Sequence, residues 1–386
     1  MNNIGVLTGT RAEYGLLKYT MDAVKKSNDL QLKTLVTGMH LSPKYGNTVN
    51  EISSDGFEVD KQVHMHFDGD SEVSTAKSVG AGITGISQAL DSLKIDVLLV
   101  LGDRVEALAG GIAASTMNIP VAHIAGGSIR GGGMIDESIR HALTRFAHLH
   151  FVQTKSDEQT LEAVGEEKDR INLVGAPALD KIDRGDFSDG KKVLRSLSLN
   201  PSEPVIVVLQ HPITTEPELA GNQMEETLSA VSQFDAQTVI IHPNSDPGRD
   251  EIVNQIKNFT NNNSDSCGIK NLPRSDYLGL LHVADLLIGN SSSGIIEAPC
   301  FELPTIDLGS RQGQRDRPNT VSRCPHDQKK IRDEIQNCLK SSQNEREINC
   351  SQSPYYYGGA ADLIVDTLSS LKFDQSLLDK KIDIQS

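Results

Sequence analysis

Short apolar runs separated by stretches of helical periodicity dominate this chain. Ile4 to Leu7, Leu32 to Val36, Val97 to Leu101, Val121 to Ile124 and His150 to Val152 are nearly continuous in Val, Leu and Ile. That pattern marks strands buried on both faces. The helical stretches between them make the pattern βαβ, in which parallel strands are joined by crossing helices. A second series follows with Val205 to Leu209, Thr238 to Ile241, Leu286 to Ile288 and Thr305 to Ile306. The two series predict an α/β fold of two doubly wound, Rossmann-like domains, 1–182 and 183–359. The polar stretch Asp183 to Pro204 is the expected hinge, and a helix over Ala360 to Leu371, within 360–386, is expected to return to the first domain. In such sheets ligands gather at the carboxyl ends of the strands, so chemistry is expected in the loops there, converging in a cleft between domains.

Composition narrows the function. With 386 residues, 37% of them hydrophobic, and a mean hydropathy of −0.31, the chain has room for two ordinary soluble domains. No run is long and apolar enough for a membrane segment, and the N-terminus reads as a first strand rather than a secretory signal, which predicts a cytoplasmic protein. Cys267, Cys300, Cys324, Cys338 and Cys350 are odd in number and form no C-x-x-C pair, so reduced thiols are expected, with no zinc site. A net charge of −15 argues against a nucleic-acid partner. A phosphate ligand must then meet local arginines: Arg11, Arg104, Arg130 and Arg140, or the group Arg311, Arg315 and Arg317. For Arg315 and Arg317 a solvated surface charge is the favoured alternative, less so for Arg11 and Arg104 at strand ends.

The strand-end loops carry the candidate chemistry. Asn290-Ser291-Ser292-Ser293-Gly294 follows an apolar strand and opens a helix, where unpaired N–H groups and serine hydroxyls favour an anion and Gly294 allows a phosphate to approach. Glu297, about one turn inside, is placed to accept from a ribose diol; a plain capped helix explains the motif equally well. After the first strand, Gly9 permits a tight turn and Arg11 enters the helix start, although the G-x-G-x-x-G spacing of a dinucleotide site is missing. Gly102-Asp103-Arg104 puts a carboxylate and a guanidinium at a strand end, with Asp103 either a general base or an N-cap. Gly131-Gly132-Gly133 suggests a mobile loop ahead of Asp136 and Glu137. Asp103, Asp136 and Glu137 are thus the acid–base candidates of the first domain. His211 of the second is a candidate phosphate ligand as imidazolium or proton relay, a strand-end histidine making one hydrogen bond being an equal alternative, and His40 is similarly placed and similarly ambiguous.

Thr8-Gly9-Thr10-Arg11-Ala12-Glu13-Tyr14-Gly15, Gly102-Asp103-Arg104, Ile135-Asp136-Glu137-Ser138-Ile139-Arg140-His141, Gln210-His211-Pro212 and Gly289-Asn290-Ser291-Ser292-Ser293-Gly294 together resemble the UDP-N-acetylglucosamine 2-epimerases. The hydrolysing branch, which feeds sialic and legionaminic acid synthesis, is the one indicated. The resemblance runs to about Arg311 and implies a glycosyltransferase-B type pair of domains, UDP in the cleft, no cofactor, no metal, and a homodimer or homotetramer. It implies Arg11, Ser291, Ser292 and Arg311 as phosphate contacts, Glu297 as the ribose contact and Asp103, Asp136 and His211 as the catalytic set. Leu272 would reach the uracil through its backbone. The family's acid within His-Ile-x-Gly-Gly-x is replaced here, since Ala125 and Ser128 fill the variable positions. Glu137 or Glu106 as substitute, a different sugar, or binding without turnover are the open alternatives. So are a non-hydrolysing epimerase and a glycosyltransferase of the same architecture.

Overall fold

The computed structural model describes residues 1–67, 72–129, 135–213, 215–244, 246–341 and 348–382. The loop Gly131-Gly132-Gly133 and Arg130 lie outside the described residues. The chain divides into two compact units: Met1–Ile129, Gly133–Asp180 and Tyr355–Ser386 belong to the first, and Lys181–Pro354 to the second.

Among the described residues the first unit holds a seven-stranded parallel sheet: β1 Asn2–Thr8, β2 Leu30–Thr37, β3 Lys61–Val63, β4 Val97–Leu101, β5 Val121–Ile124, β6 Leu149–Val152 and β7 Ile171–Leu173, in the order β3-β2-β1-β4-β5-β6-β7. The central β4 is buried along its whole length, because helices cover both faces of a parallel sheet. The second unit repeats the plan with six strands: β8 Val205–Leu209, β9 Gln237–Ile241, β10 Ser266–Ile269, β11 Leu286–Gly289, β12 Thr305–Leu308 and β13 Val321–Cys324, in the order β10-β9-β8-β11-β12-β13. Strand order reverses between β1 and β4 in one sheet and between β8 and β11 in the other. Loops leaving neighbouring strands at such a point diverge to opposite faces and open a crevice. The loops after β1 and β4 flank one such point, and the loops after β8 and β11 flank the other.

The helix Ala360–Ser370 packs on Arg11–Lys26, burying Ile364, Val365 and Leu368 with Leu17, Met21 and Val24. Each such side chain contributes about 1.5–3 kcal/mol when fully buried. Asp180 accepts the N–H groups of Ala360 (2.7 Å) and Ala361 (2.8 Å), capping the returning helix. The expected hinge is located differently. The units meet at Asp180–Lys181, and the polar stretch from Asp183 to Pro204 lies inside the second unit. It contains the helix Gly190–Ser196, whose Gly190 lies so close to Gly279 that a side chain at either position would strike backbone.

Candidate active site

At the first reversal point Thr10 caps the helix Arg11–Lys26: its hydroxyl accepts from the Glu13 N–H at 3.2 Å, and the Glu13 carboxylate accepts from the Gly9 N–H at 3.0 Å. This ties the loop after β1 in a form of capping box. Arg11 therefore stands at the helix start, exposed, with its Nε on Glu51 at 3.0 Å. The carboxyl of Glu13 is buried. Burial, then the nearby Glu106, pushes it up to about 7, with Arg104 and the bonds from Gly9 and Thr10 opposing. Sequence reasoning passed over Glu13 as a titrating group; the signal was its place three residues after Thr10.

His40 is corrected from a substrate contact to a support. It is wholly buried, one ring nitrogen 3.1 Å from the Thr8 hydroxyl and the other 2.7 Å from that of Thr48. Burial pushes it down to about 4, so it is neutral at pH 7 and has no ring nitrogen left for a ligand.

After β4, Gly102 turns the chain with φ +76°, and Asp103 is an ion-pair partner rather than an N-cap, since Arg104 occupies the cap position of Val105–Thr116. The Asp103 carboxylate receives the guanidinium of Arg140, which is only 1% exposed and also donates to the Ser128 carbonyl at 2.9 Å. Arg140 is therefore a fixed internal counter-charge and not a phosphate ligand. Arg104 grips both oxygens of Glu106 at 3.1 and 3.3 Å. Glu106 is buried in that grip, which removes it as the substitute base. Asp136, half-buried at the start of Ile135–Phe146, lies close enough to act on Arg104 electrostatically, and Glu137 faces His141 at 3.9 Å. At the variable positions the Ala125 methyl joins the core from a backbone at φ +66°, and Ser128 is buried.

At the second reversal point the contacts are amide-like. Asn290 after β11 accepts the His211 N–H at 2.7 Å and donates to the His211 carbonyl at 2.9 Å, clamping the loop after β8. The Asn244 N–H donates to His211 Nδ1 at 3.2 Å, which places the ring proton on Nε2. Burial and then Arg311 push His211 down to about 4. It acts as a neutral N–H donor, which replaces the imidazolium reading. Arg311 and Gln312 both donate to the Asn290 carbonyl, at 3.2 and 3.0 Å. Gly289, at φ +149°, has no room for a side chain, because a Cβ there would lie 1.9 Å from the Leu209 carbonyl.

The helix opened by the serines is one turn long, Ser293–Ile296. Ser291 and Ser292 are half-buried ahead of it, whereas Ser293 is buried with its hydroxyl 2.7 Å from Tyr277. Gly294 is buried too: a Cβ there would meet Thr305 at 2.9 Å, so its small size serves packing on β12 and not the approach of a phosphate. Glu297 is buried and paired with Arg274, a partner the sequence did not reveal. Leu272 is half-buried in the segment entering Arg274–Val283. Arg315 is buried and Arg317 donates to Asp307 at 3.1 Å, so neither is a solvated surface charge. Among the described residues no cluster of His, Cys, Asp and Glu is placed to hold a metal, and no helix is long and apolar enough to cross a membrane.

Residues 22–369 match the model of the UDP-N-acetylglucosamine 2-epimerase family. A UDP-N,N'-diacetylbacillosamine 2-epimerase (hydrolyzing) from Legionella pneumophila is 37% identical over 82% of this chain and 83% of its own. A GDP/UDP-N,N'-diacetylbacillosamine 2-epimerase (hydrolyzing) from Campylobacter jejuni is 32% identical over 82% of this chain and 83% of its own. Among solved structures, the Neisseria meningitidis UDP-GlcNAc 2-epimerase bound to UDP-GlcNAc superposes with a TM-score of 0.78 at 18% identity, covering 95% of this chain and 99% of that one. That likeness gives both units the Rossmann-like plan of a glycosyltransferase-B type fold.

Proposed function

Because the chain belongs to the UDP-N-acetylglucosamine 2-epimerase family, we propose that it is the hydrolysing kind of 2-epimerase, converting a UDP-linked 2-acetamido sugar and water to UDP and the free C2-inverted sugar. The observation that carries this reading is the likeness, along more than four-fifths of the chain, to two relatives whose own names say hydrolyzing. Both also name a diacetamido sugar, and that sugar is the substrate this reading favours over UDP-N-acetylglucosamine.

The chemistry is an elimination followed by a hydration. A carboxylate takes the proton from C2, the C1–O bond breaks with its electron pair leaving on UDP, and a C1=C2 glycal remains. Water then adds its oxygen to C1 while a proton returns to C2 from the other face. We assign the proton steps to Asp103 and Asp136, with Glu137 beside the latter. Positioned acids and bases of this kind contribute about 10²–10⁴-fold in rate. Arg140 holds the Asp103 carboxylate in place, and Arg104, itself bonded to Glu106, acts on Asp136 through its charge alone. The diphosphate falls to Ser291, Ser292, Arg311, the neutral N–H of His211, and Arg11, donors that meet charge as it develops on the leaving group. Glu297, fixed by Arg274, is assigned to the ribose and the Leu272 backbone to the uracil. A homodimer or homotetramer in the cytoplasm, supplying sialic- or legionaminic-type acid synthesis, goes with this reading.

The test is proton NMR of the protein with each UDP-sugar in D2O. Free UDP together with deuterium at C2 of the released sugar is the expected result. An epimerised sugar still attached to UDP would instead indicate the non-hydrolysing reaction, and binding without turnover would indicate a sensor.

A further inference from the structure

One buried histidine of the first unit has no part in the chemistry assigned above. His123 stands in the middle of β5, wholly buried, beside Val100 of β4 and His150 of β6. The interior strands of a parallel sheet are normally apolar, and a polar ring there lowers stability unless its nitrogens are bonded. His123 Nε2 lies 2.7 Å from the Gly102 carbonyl, and a carbonyl can only accept, so Nε2 carries the proton and donates. Nδ1 keeps a buried lone pair with no partner among the described residues. Burial pushes the ring down to about 4, with the bond to Gly102 opposing, so it is a neutral donor at pH 7. The ring fits because residue 126 is glycine: a Cβ there would stand 3.0 Å from Nδ1. The His-Ile-x-Gly spacing therefore has a physical cause, since the glycine clears the space that the histidine fills.

What the donor holds is the turn into Asp103. Gly102 has φ +76°, and a side chain there would meet nothing within 4 Å, so packing on that side does not restrain the backbone. Without a Cβ, Gly102 can swing the peptide that joins it to Asp103 at small cost. Two hydrogen bonds oppose this. The Gly102 N–H donates to the Ile124 carbonyl at 2.9 Å and fixes the peptide before Gly102. His123 fixes the peptide after it, the one from which the Asp103 side chain departs. Asp103 has then to meet Arg140, whose own place is set by burial and by the Ser128 carbonyl.

We propose that His123 is a positioning residue of the proton-transfer site: its Nε2–H locks the Gly102–Asp103 peptide and so holds the Asp103 carboxylate where Arg140 meets it. The ring itself exchanges no proton with the substrate. This role rests on the assignment of Asp103 to the epimerase reaction; the hydrogen bond does not.

The experiment compares the full chain with His123→Phe, His123→Gln and Gly126→Ala. It measures the initial rate of UDP release from UDP-N,N'-diacetylbacillosamine at several concentrations, with UDP binding followed by calorimetry. In His123→Phe, which keeps a ring and removes the donor, kcat should fall about tenfold or more, with KM and UDP affinity within about twofold. His123→Gln, whose amide can reach the same carbonyl, should restore kcat to within about fivefold of the unaltered chain. Gly126→Ala presses on the ring without removing it, gives the same pattern at smaller amplitude, and serves if His123→Phe does not fold. The decisive comparison is made in Asp103→Asn. There His123→Phe should cost no more than about twofold, because a residue and the group it positions act as one unit. A merely structural histidine would lower kcat by the same factor in both backgrounds, and that result overturns the proposal, as does a parallel loss of UDP affinity in His123→Phe. No UDP released by the unaltered chain, from this sugar nucleotide or from UDP-GlcNAc, would overturn the epimerase reading and this role with it. Turnover whose kcat is indifferent to His123→Phe overturns this role alone.

Discussion

The two units place loops at equivalent points of equivalent sheets and furnish them with opposite chemistry. Beside β1 and β4 the polar groups are ions compensated within the unit: Asp103 by Arg140, Glu106 by Arg104, and Glu13 by N–H and hydroxyl donors. Beside β8 and β11 the clamp itself is neutral, an asparagine holding a backbone and a histidine kept uncharged, with Arg311 oriented by a carbonyl, and the ion pair of Glu297 with Arg274 stands beyond the serines. The topology determines where a ligand is met, and the polar side chains determine whether the place suits proton transfer or an anion. An acid held by a counter-charge stays in one position while it exchanges protons.

Three substitutions can break or sharpen that contrast. The largest effect is expected from Asp103→Asn, which keeps the shape and removes the charge: turnover should fall about 10²–10⁴-fold, while calorimetric affinity for UDP stays nearly constant. A parallel loss of UDP binding would erase the proposed division of labour. Next comes Asn290→Ala, which unclamps His211; UDP affinity should drop roughly tenfold or more as two part-buried backbone groups lose their partners. Unchanged affinity would mean that the clamp does not shape the cradle.

The smallest effect concerns pH. Glu13 binds its proton more tightly in the folded chain, at about 7, than an ordinary glutamate does at 4.5. The penalty for holding it ionised is absent below pH 4.5 and complete above 7, so stability from this group falls as pH rises through that window. Against Glu13→Gln, the unaltered chain should lose melting temperature steadily between those limits. His40 and His123, pushed down to about 4 by burial, act in the opposite sense below pH 6.5 in both proteins and cancel in the difference. Parallel curves would show that Glu13 does not titrate in this range.

How much of this was legible in the sequence follows from burial. Val97–Leu101 and Val205–Leu209 were readable to the residue, because strands in the middle of a parallel sheet are apolar on both faces. The strands that escaped, Lys61–Val63, Ile171–Leu173, Ser266–Ile269 and Val321–Cys324, are the four sheet edges. They are short and partly exposed, and edge strands do not need a continuous apolar run. The site divides similarly. Motif positions such as Asp103, His211 and Ser291 announce themselves by following a strand, but a partner's identity does not. Arg140 lies far along the chain from Asp103, as does Arg274 from Glu297, and only the packed helices bring them together. His40 and Gly294 misled because local sequence cannot show whether a polar or small residue faces a ligand or the interior.

The helix Ala360–Ser370, capped by Asp180, makes the first unit discontinuous along the chain. During synthesis the apolar face formed by Leu17, Met21 and Val24 emerges long before the residues that cover it, and the whole second unit is made in between. The second unit can therefore complete its core while the first waits for the last stretch of chain. A messenger cut short after residue 354 would yield a finished second unit joined to an unsealed first one, which exposes a hydrophobic seam to proteases and to other chains.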